Sequence, residues 1–252
     1  MSVITISSTG SDVLDHSAHT YFISDLHLDP ARTDTIDLSL RFFAHVQGAR
    51  ALFVMGDLFE YWLGDDGADP RLTHVYDAMR AVSESGTDVY LMHGNRDFLI
   101  GEQFSSVVSA TLITDDHVEV ELGAARYSLL HGDTLCTDDV DYLRLRQMVR
   151  DPHWQSEFLA LTIDERIAQA QALRDQSRDA VSSKSAGIMD VNDDAVQNHA
   201  VQFPNDGIIH GHTHRPVDHT GTHRRLVLGN WKVDHAMIAK FDGEQLYFER
   251  FD

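Results

Sequence analysis

Short apolar runs alternate with stretches of helical period along this chain. TYFIS (20–24), ALFVM (51–55) and DVYLM (88–92) have strand length, and ALFVM is continuously apolar, as expected for a strand buried on both faces. Between them Ile36, Leu40, Phe43 and Val46 recur at helical spacing over 34–48, stopping before Gly48. A second helix is predicted over about 70–85, ending at Gly86. HVEVEL and RYSLL alternate as strands, and strands resume late at GIIH, RLVLG, HAMIAKF and QLYFERF. From 138 to 203 the pattern is almost purely helical, with Leu143, Met148, Trp154, Phe158, Leu161, Ile163, Ile167 and Leu173 set among Arg, Asp and Gln. The expected organisation is an α/β core built from 20–137 and 204–252, carrying a helical insertion at 138–203. Residues 1–19, rich in Ser and Thr, are expected to form a flexible arm.

Five apolar strands end directly in polar donor residues, usually beside a glycine: FISDLH, FVMGD, LMHGN, LLHGD and IIHGHTH. One such junction is ordinary turn chemistry. Five, each offering Asp, Asn or His, suggest a site where the carboxyl ends of strands converge. Asp25 and His27 stand two apart, as do His210, His212 and His214, so an extended backbone would point them the same way. With Asp57, Asn95 and His131 they form a set of hard oxygen and imidazole donors. Cys136 is the only cysteine and the best fit for it is a small buried residue, so a thiolate zinc site is not expected. Oxygen with imidazole suits Mn²⁺, Mg²⁺, Fe or Zn²⁺ in a catalytic role. Seven donors, Asp25, His27, Asp57, Asn95, His131, His212 and His214, are too many for one ion with open positions and suit a pair sharing a carboxylate.

Composition narrows the partners. Of 252 residues, 40 are Asp or Glu and 20 are Lys or Arg, giving a formal net charge of −20. Such a field disfavours nucleic acid, so an anionic substrate must be held locally, for instance by metal ions. A single cysteine excludes an intrachain disulfide and suggests a reducing compartment. No basic, apolar leader opens the chain and no run approaches the roughly 20 apolar residues of a spanning helix.

The motifs Asp25-Leu26-His27, Gly56-Asp57, Gly94-Asn95, His131-Gly132-Asp133 and Gly211-His212-Thr213-His214 resemble the five signatures of the calcineurin-like metallophosphoesterases. FISDLHLDP, GDLFEYWLGDD, HGNRDFLIG, LLHGDTLCTDD, IMDVN (188–192) and HGHTHRP narrow the resemblance, over roughly residues 20–235, to the branch acting on UDP-linked diacylated glucosamine in lipid A biosynthesis. The resemblance implies a layered β-sandwich flanked by helices, with the insertion as a lid over acyl chains. It implies two Mn²⁺ ions per chain: one held by Asp25, His27, Asp57 and His214, the other by Asp57, Asn95, His131 and His212. It implies catalytic roles for Asp57, Asn95, Arg96 and His212, and substrate contacts at Asn95, Arg96, Asp139, Ser177, Val181, Lys184 and His212. Val181 departs from the pattern, which usually has Asn or Thr there. Tyr142 and Arg146, a turn apart, are further candidates.

The implied reaction is attack by metal-activated water on the α-phosphorus, giving UMP and the diacylated glucosamine 1-phosphate. Arg96 bears on it directly. Many metallophosphoesterases place His after the Asn, where it can protonate an alkoxide; an arginine stays charged and cannot. A phosphate leaving group needs no such proton, and a guanidinium can hold phosphate oxygens bidentately. The implied setting is cytoplasmic, peripheral on the cytoplasmic face of the inner membrane, with no obligate protein partner. A general nucleotide pyrophosphatase is the competing enzyme, and a non-catalytic scaffold is opposed by the seven filled donor positions. Glu60, Asp65 and Asp66 read equally as partners of the histidines or as solvated loop charges. Asp133 is expected to orient His131 or cap the next helix.

Overall fold

A computed structural model of the chain describes residues 3–6, 18–182, 190–221, 223–229 and 231–252, side chains at 175–182 excepted. Thr20–Ile23 (β2), Ala51–Met55 (β3), Asp88–Met92 (β4) and Thr111–Ile113 (β5) pair in parallel, and Ala236–Phe241 (β11) with Leu246–Phe251 (β12) extend the sheet antiparallel from β2. The second sheet runs Val3–Ile6 (β1), Val118–Leu122 (β6), Ala125–Leu130 (β7), Gly207–His210 (β8), Arg224–Val227 (β10) and Val217–His219 (β9).

The apolar run of β3 explains the layering. Side chains alternate across a strand, so Ala51, Phe53 and Met55 enter the interior between the sheets while Leu52 and Val54 face the helices. Phe22, Phe53 and Tyr90 sit in register on three neighbouring strands and stack at 5.0 and 4.5 Å. On the outer face, helices Thr33–His45 (α1), Thr73–Glu84 (α2) and Glu102–Val107 (α3) deliver Phe42, Phe43, Val75, Met79 and Phe104 to one cluster. Each large apolar side chain fully buried in this way is worth about 1.5–3 kcal/mol. The result is a β-sandwich flanked by helices, as the resemblance implies.

Two expectations change. Val3–Ile6 do not belong to a free arm: they pair in parallel with Glu119–Leu122, and Ile6 is buried. A four-residue strand completed by a partner over a hundred positions away leaves little local signature. The insertion also divides. Helices Val140–Val149 (α4), Pro152–Leu159 (α5) and Ile163–Ser182 (α6) form the cap, with Trp154, Phe158 and Leu161 packed on the α1–α3 cluster. Helix Asp193–Gln202 (α7) instead covers the outer face of the second sheet, where Val191, Ala195 and Val196 pack on Leu130, Leu135 and Ile208. No helix among the described residues is long and apolar enough to cross a membrane.

β2, β3 and β4 run parallel in one sheet and β7 and β8 in the other, so the donor loops leave the sandwich at strand carboxyl ends.

Candidate metal centre and its cavity

The loops after β2 and β3 continue side by side. Asp25 N donates to Gly56 O at 3.1 Å, His27 N to Asp57 O at 3.0 Å and Leu28 N to Leu58 O at 2.9 Å. Asp97, fully buried, locks the third loop to the second: Oδ1 accepts from Gly94 N (2.9 Å) and Asp57 N (3.2 Å), Oδ2 from Leu58 N (2.7 Å) and Phe59 N (3.3 Å). Gly94 is required there, because a Cβ would lie 2.1 Å from Asp57 Oδ1. Gly211 similarly admits Asp25, whose Oδ2 would stand 2.5 Å from an added Cβ.

The seven donors do come together. His27 Nε2 and His214 Nε2 are 3.0 Å apart, with His214 Nε2 3.4 Å from Asp25 Oδ1 and His27 Nε2 3.7 Å from Asp57 Oδ2. On the other side Asn95 Oδ1 lies 2.9 Å from His131 Nε2 and 2.8 Å from His212 Nδ1, while His131 Nε2 is 3.7 Å from Asp57 Oδ1. The two oxygens of Asp57 therefore face two different groups. His131 Nδ1 bonds Met55 O at 2.9 Å, directing Nε2 inward, and both oxygens of Asp25 accept from His212 N. The convergence does not come from extended backbone, as the two-residue spacing suggests. Asp25, His27, Asp57, His212 and His214 all have positive φ, between 48° and 68°. His210 turns away from the group, buried, with Nδ1 2.9 Å from Gly211 O and Nε2 3.2 Å from Arg225 Nη1; burial lowers its pKa to about 3.

The electrostatics fit a cation site. Burial pushes Asp57 up to about 6 against the pull of His131 and His27, and Asp97 and Asp25 add to the rise. Burial also opposes ionisation of Asp25, but a hydrogen bond from His214 and the nearby imidazoles hold it near 2. Burial disfavours the charged form of His131, yet Asp57, Asp25 and Asp133 outweigh it and raise His131 to about 9. Burial likewise opposes the charged form of His27, but the carboxylates, Glu60 foremost, raise it, whereas burial lowers His212 to about 4. Hard oxygens and imidazole nitrogens within 4.8 Å of one another match the donor chemistry of such ions.

A cavity of about 850 Å³ opens from this cluster beneath the cap. Asn95, Arg96, His212 and His214 line its polar end, and Trp62, Leu99, Leu145, Val149, Trp154 and Phe158 its apolar one. Arg96 donates its backbone N–H to Asp57 Oδ1 at 2.8 Å, while its side chain is 39% exposed at the cavity wall with Nη1 3.7 Å from Glu60 Oε1. Asp139 is on the cavity wall and caps α4, its Oδ1 accepting from Tyr142 N at 3.0 Å. Ser177 and Val181 lie on α6 but their side chains are outside the described residues, as is the whole of Lys184. Asp133 does not bond His131. It accepts from Tyr142 Oη (2.5 Å) and Arg146 Nε (2.7 Å), tying α4 to the core. Of the three ambiguous acids, Glu60 Oε2 stands 3.1 Å from His27 Nδ1, Asp65 accepts from Trp62, Gly101 and Phe104, and Asp66 pairs with Arg166 of the cap. Asp97, Arg150 and Arg174 escape the sequence reading. For Asp97 the signal was its position two residues after Asn95, indistinguishable from turn chemistry.

These features define a class. The chain belongs to the calcineurin-like phosphoesterases, whose family model matches residues 18–216. Curated relatives are closer still. A UDP-2,3-diacylglucosamine hydrolase of Chromohalobacter salexigens is 42% identical over 231 residues, covering 89% of this chain and 94% of the relative. One from Escherichia coli is 44% identical over 232 residues, 87% and 93% of the two chains. At that similarity and coverage the chain is a member of the UDP-2,3-diacylglucosamine hydrolase family. Among solved structures, vacuolar protein sorting 29 from Cryptosporidium parvum superposes with a TM-score of 0.43 at 11% identity, over 93% of this chain and 97% of its own.

Proposed function

We propose that this chain hydrolyses the pyrophosphate bond of UDP-2,3-diacylglucosamine, releasing UMP and 2,3-diacylglucosamine 1-phosphate, with two Mn²⁺ ions as cofactor. The observation carrying this reading is one cavity that joins a convergent Asp/Asn/His cluster to an apolar chamber, with Arg96 at their junction. A substrate with a charged phosphoanhydride and two acyl chains needs both environments at once. Asp25, His27, Asp57 and His214 would hold one ion, and Asp57, Asn95, His131 and His212 the other. The separate facing of the Asp57 oxygens supports its bridging role. Bound there, the ions supply Lewis acidity that lowers the pKa of a water and neutralises charge on the phosphoryl oxygens.

The chain's own residues do the rest. His131 Nε2 and His212 Nδ1 converge on Asn95 Oδ1, so the three donor atoms face the one point where their shared ion would sit. Arg96 holds phosphate oxygens, and the lack of a protonating histidine beside Asn95 fits a phosphate leaving group. The cap excludes water and seats the acyl chains against Trp154, Phe158 and Leu145. Asp139, Ser177 and Lys184 would contact the sugar phosphate, with Val181 removing one polar contact. Val140, Met148, Leu159 and Ile167 are exposed on the cap, which supports peripheral contact with the cytoplasmic face of the inner membrane.

The deciding experiment is turnover of UDP-2,3-diacylglucosamine by metal-free protein reloaded with Mn²⁺, with product detection. UMP release that requires Mn²⁺ and both acyl chains is expected. Release of inorganic phosphate would sink the reaction scheme, and turnover indifferent to acylation would point to a general nucleotide pyrophosphatase.

A further inference from the structure

Glu60 touches both the metal centre and the cap. It sits three residues beyond Asp57, and its backbone N donates to Leu28 O at 3.1 Å, which fixes it beside the loop of His27. Oε2 is 3.1 Å from His27 Nδ1. Oε1 accepts from Arg174 Nη2 of α6, and Arg96 Nη1 lies 3.7 Å from the same oxygen. Arg174 also covers the Tyr61 ring at 5.8 Å, so its guanidinium is held from two sides.

We propose that Glu60 is a positioning residue that couples the seating of the cap to the geometry of the metal centre. Imidazole has two nitrogens, and the partner of one determines what the other can do. A proton on Nδ1, facing the Glu60 carboxylate at 3.1 Å, leaves Nε2 with a bare lone pair. That nitrogen is the one facing His214 and Asp57. The orientation of the carboxylate depends in turn on Arg174, 114 residues further along and carried by a cap helix. Seating α6 therefore sets Glu60, and Glu60 sets His27. A coupling of this kind is reciprocal: the factor by which Arg174 tightens metal binding equals the factor by which metal tightens α6.

The inference rests on His27 being a metal ligand, one part of the function proposed above, and is independent of the substrate. It is tested without substrate on the full-length metal-free chain. Mn²⁺ affinity is measured for the parent, E60Q, R174A, R174K and the E60Q/R174A double variant, and hydrogen exchange of α6 is followed with and without Mn²⁺. Removing the partner of a ligating histidine typically costs 10–100-fold in metal affinity, and E60Q should fall in that range. R174A should weaken binding about fivefold or more, and the double variant should be no weaker than E60Q alone. R174K should recover most of the loss, because a single donor to Oε1 is all that the contact uses. Mn²⁺ should slow exchange in α6 of the parent by the R174A factor, and should not do so in E60Q. R174A binding within twofold of the parent, or equal protection of α6 in E60Q, overturns the coupling while leaving the function intact. A parent chain that binds no Mn²⁺ overturns both.

Discussion

Replacing Asp97 by Asn keeps the shape of the side chain and removes half of its acceptors. The four backbone N–H groups it serves come from Gly94 and Asp57 on one oxygen and Leu58 and Phe59 on the other. Whichever way the amide turns, an NH₂ faces two N–H donors. Hydrogen bonds to a charged acceptor contribute about 1.5–3 kcal/mol each and a buried unpaired N–H costs about 1–3 kcal/mol. With no solvent access at Asp97 to soften the loss, D97N should destabilise the fold by about 3–5 kcal/mol. For a chain of this size that is a fall in Tm on the order of 10 °C. The clamp also fixes the loop of Asp57 against that of Asn95, so Mn²⁺ affinity should drop about tenfold or more. Denaturant unfolding of the metal-free protein and Mn²⁺ titration of the folded protein measure the two effects separately. If D97N unfolds within about 1 kcal/mol of the parent and binds Mn²⁺ equally well, the clamp does not hold the site.

R96A should lower kcat/KM on the diacylated substrate by about 10–150-fold, the loss of a charge-assisted phosphate contact of about 1.5–3 kcal/mol, with Mn²⁺ affinity nearly unchanged; an unaffected kcat/KM would remove Arg96 from the site. Arg166 is buried and donates to Asp66, Leu63 O, Leu159 O and Leu161 O, so R166M should cost about 2 kcal/mol and speed limited proteolysis of the cap before the sandwich; simultaneous cleavage of both would count against a separate cap tether. Burial, with help from His117 and His223, depresses His199 to about 4. The unfolded chain, with an ordinary histidine pKa near 6.5, binds more protons between those values, so stability falls as pH drops from about 6.5 to about 4. H199N should flatten that part of the Tm–pH curve; an unchanged slope would show that His199 titrates normally.

The donor set was legible because chemistry and strand ends are adjacent in sequence: each apolar run ends within a few residues of its Asp, Asn or His. Sorting those donors into two groups was not legible, since Asp57 meets His27 through one sheet's neighbouring loops and His131 through the packing of two sheets. Glu60 and Asp133 show the same limit. A loop carboxylate solvated or paired has the same sequence, and only the fold shows that Glu60 meets His27 and Arg174 while Asp133 meets Tyr142 and Arg146. The flexible-arm reading failed at Val3–Ile6 for a related reason, because a short edge strand takes its stability from a distant partner.

The left-handed residues show why the clamps matter before any ion arrives. Five of the six non-glycine residues with positive φ among the described residues are candidate metal ligands. Left-handed backbone costs roughly 1–2 kcal/mol for an ordinary residue, somewhat less for Asp and His, whose side chains tolerate it. Several kcal/mol are thus held in strain at one end of the sandwich. Four of these positions are fastened from outside themselves: Asp25 and His27 by the backbone of the next loop, Asp57 by Asp97, and His212 by both oxygens of Asp25. His214 has only the approaches of His27 and Asp25, and it is the most exposed of the five, at 48% of its side chain. Four of the candidate ligands are therefore preorganised by the protein, and the fifth has the most to gain from an ion. Loss of metal should show first in the segment around His214, while the loops of Asp25 and Asp57 keep their places.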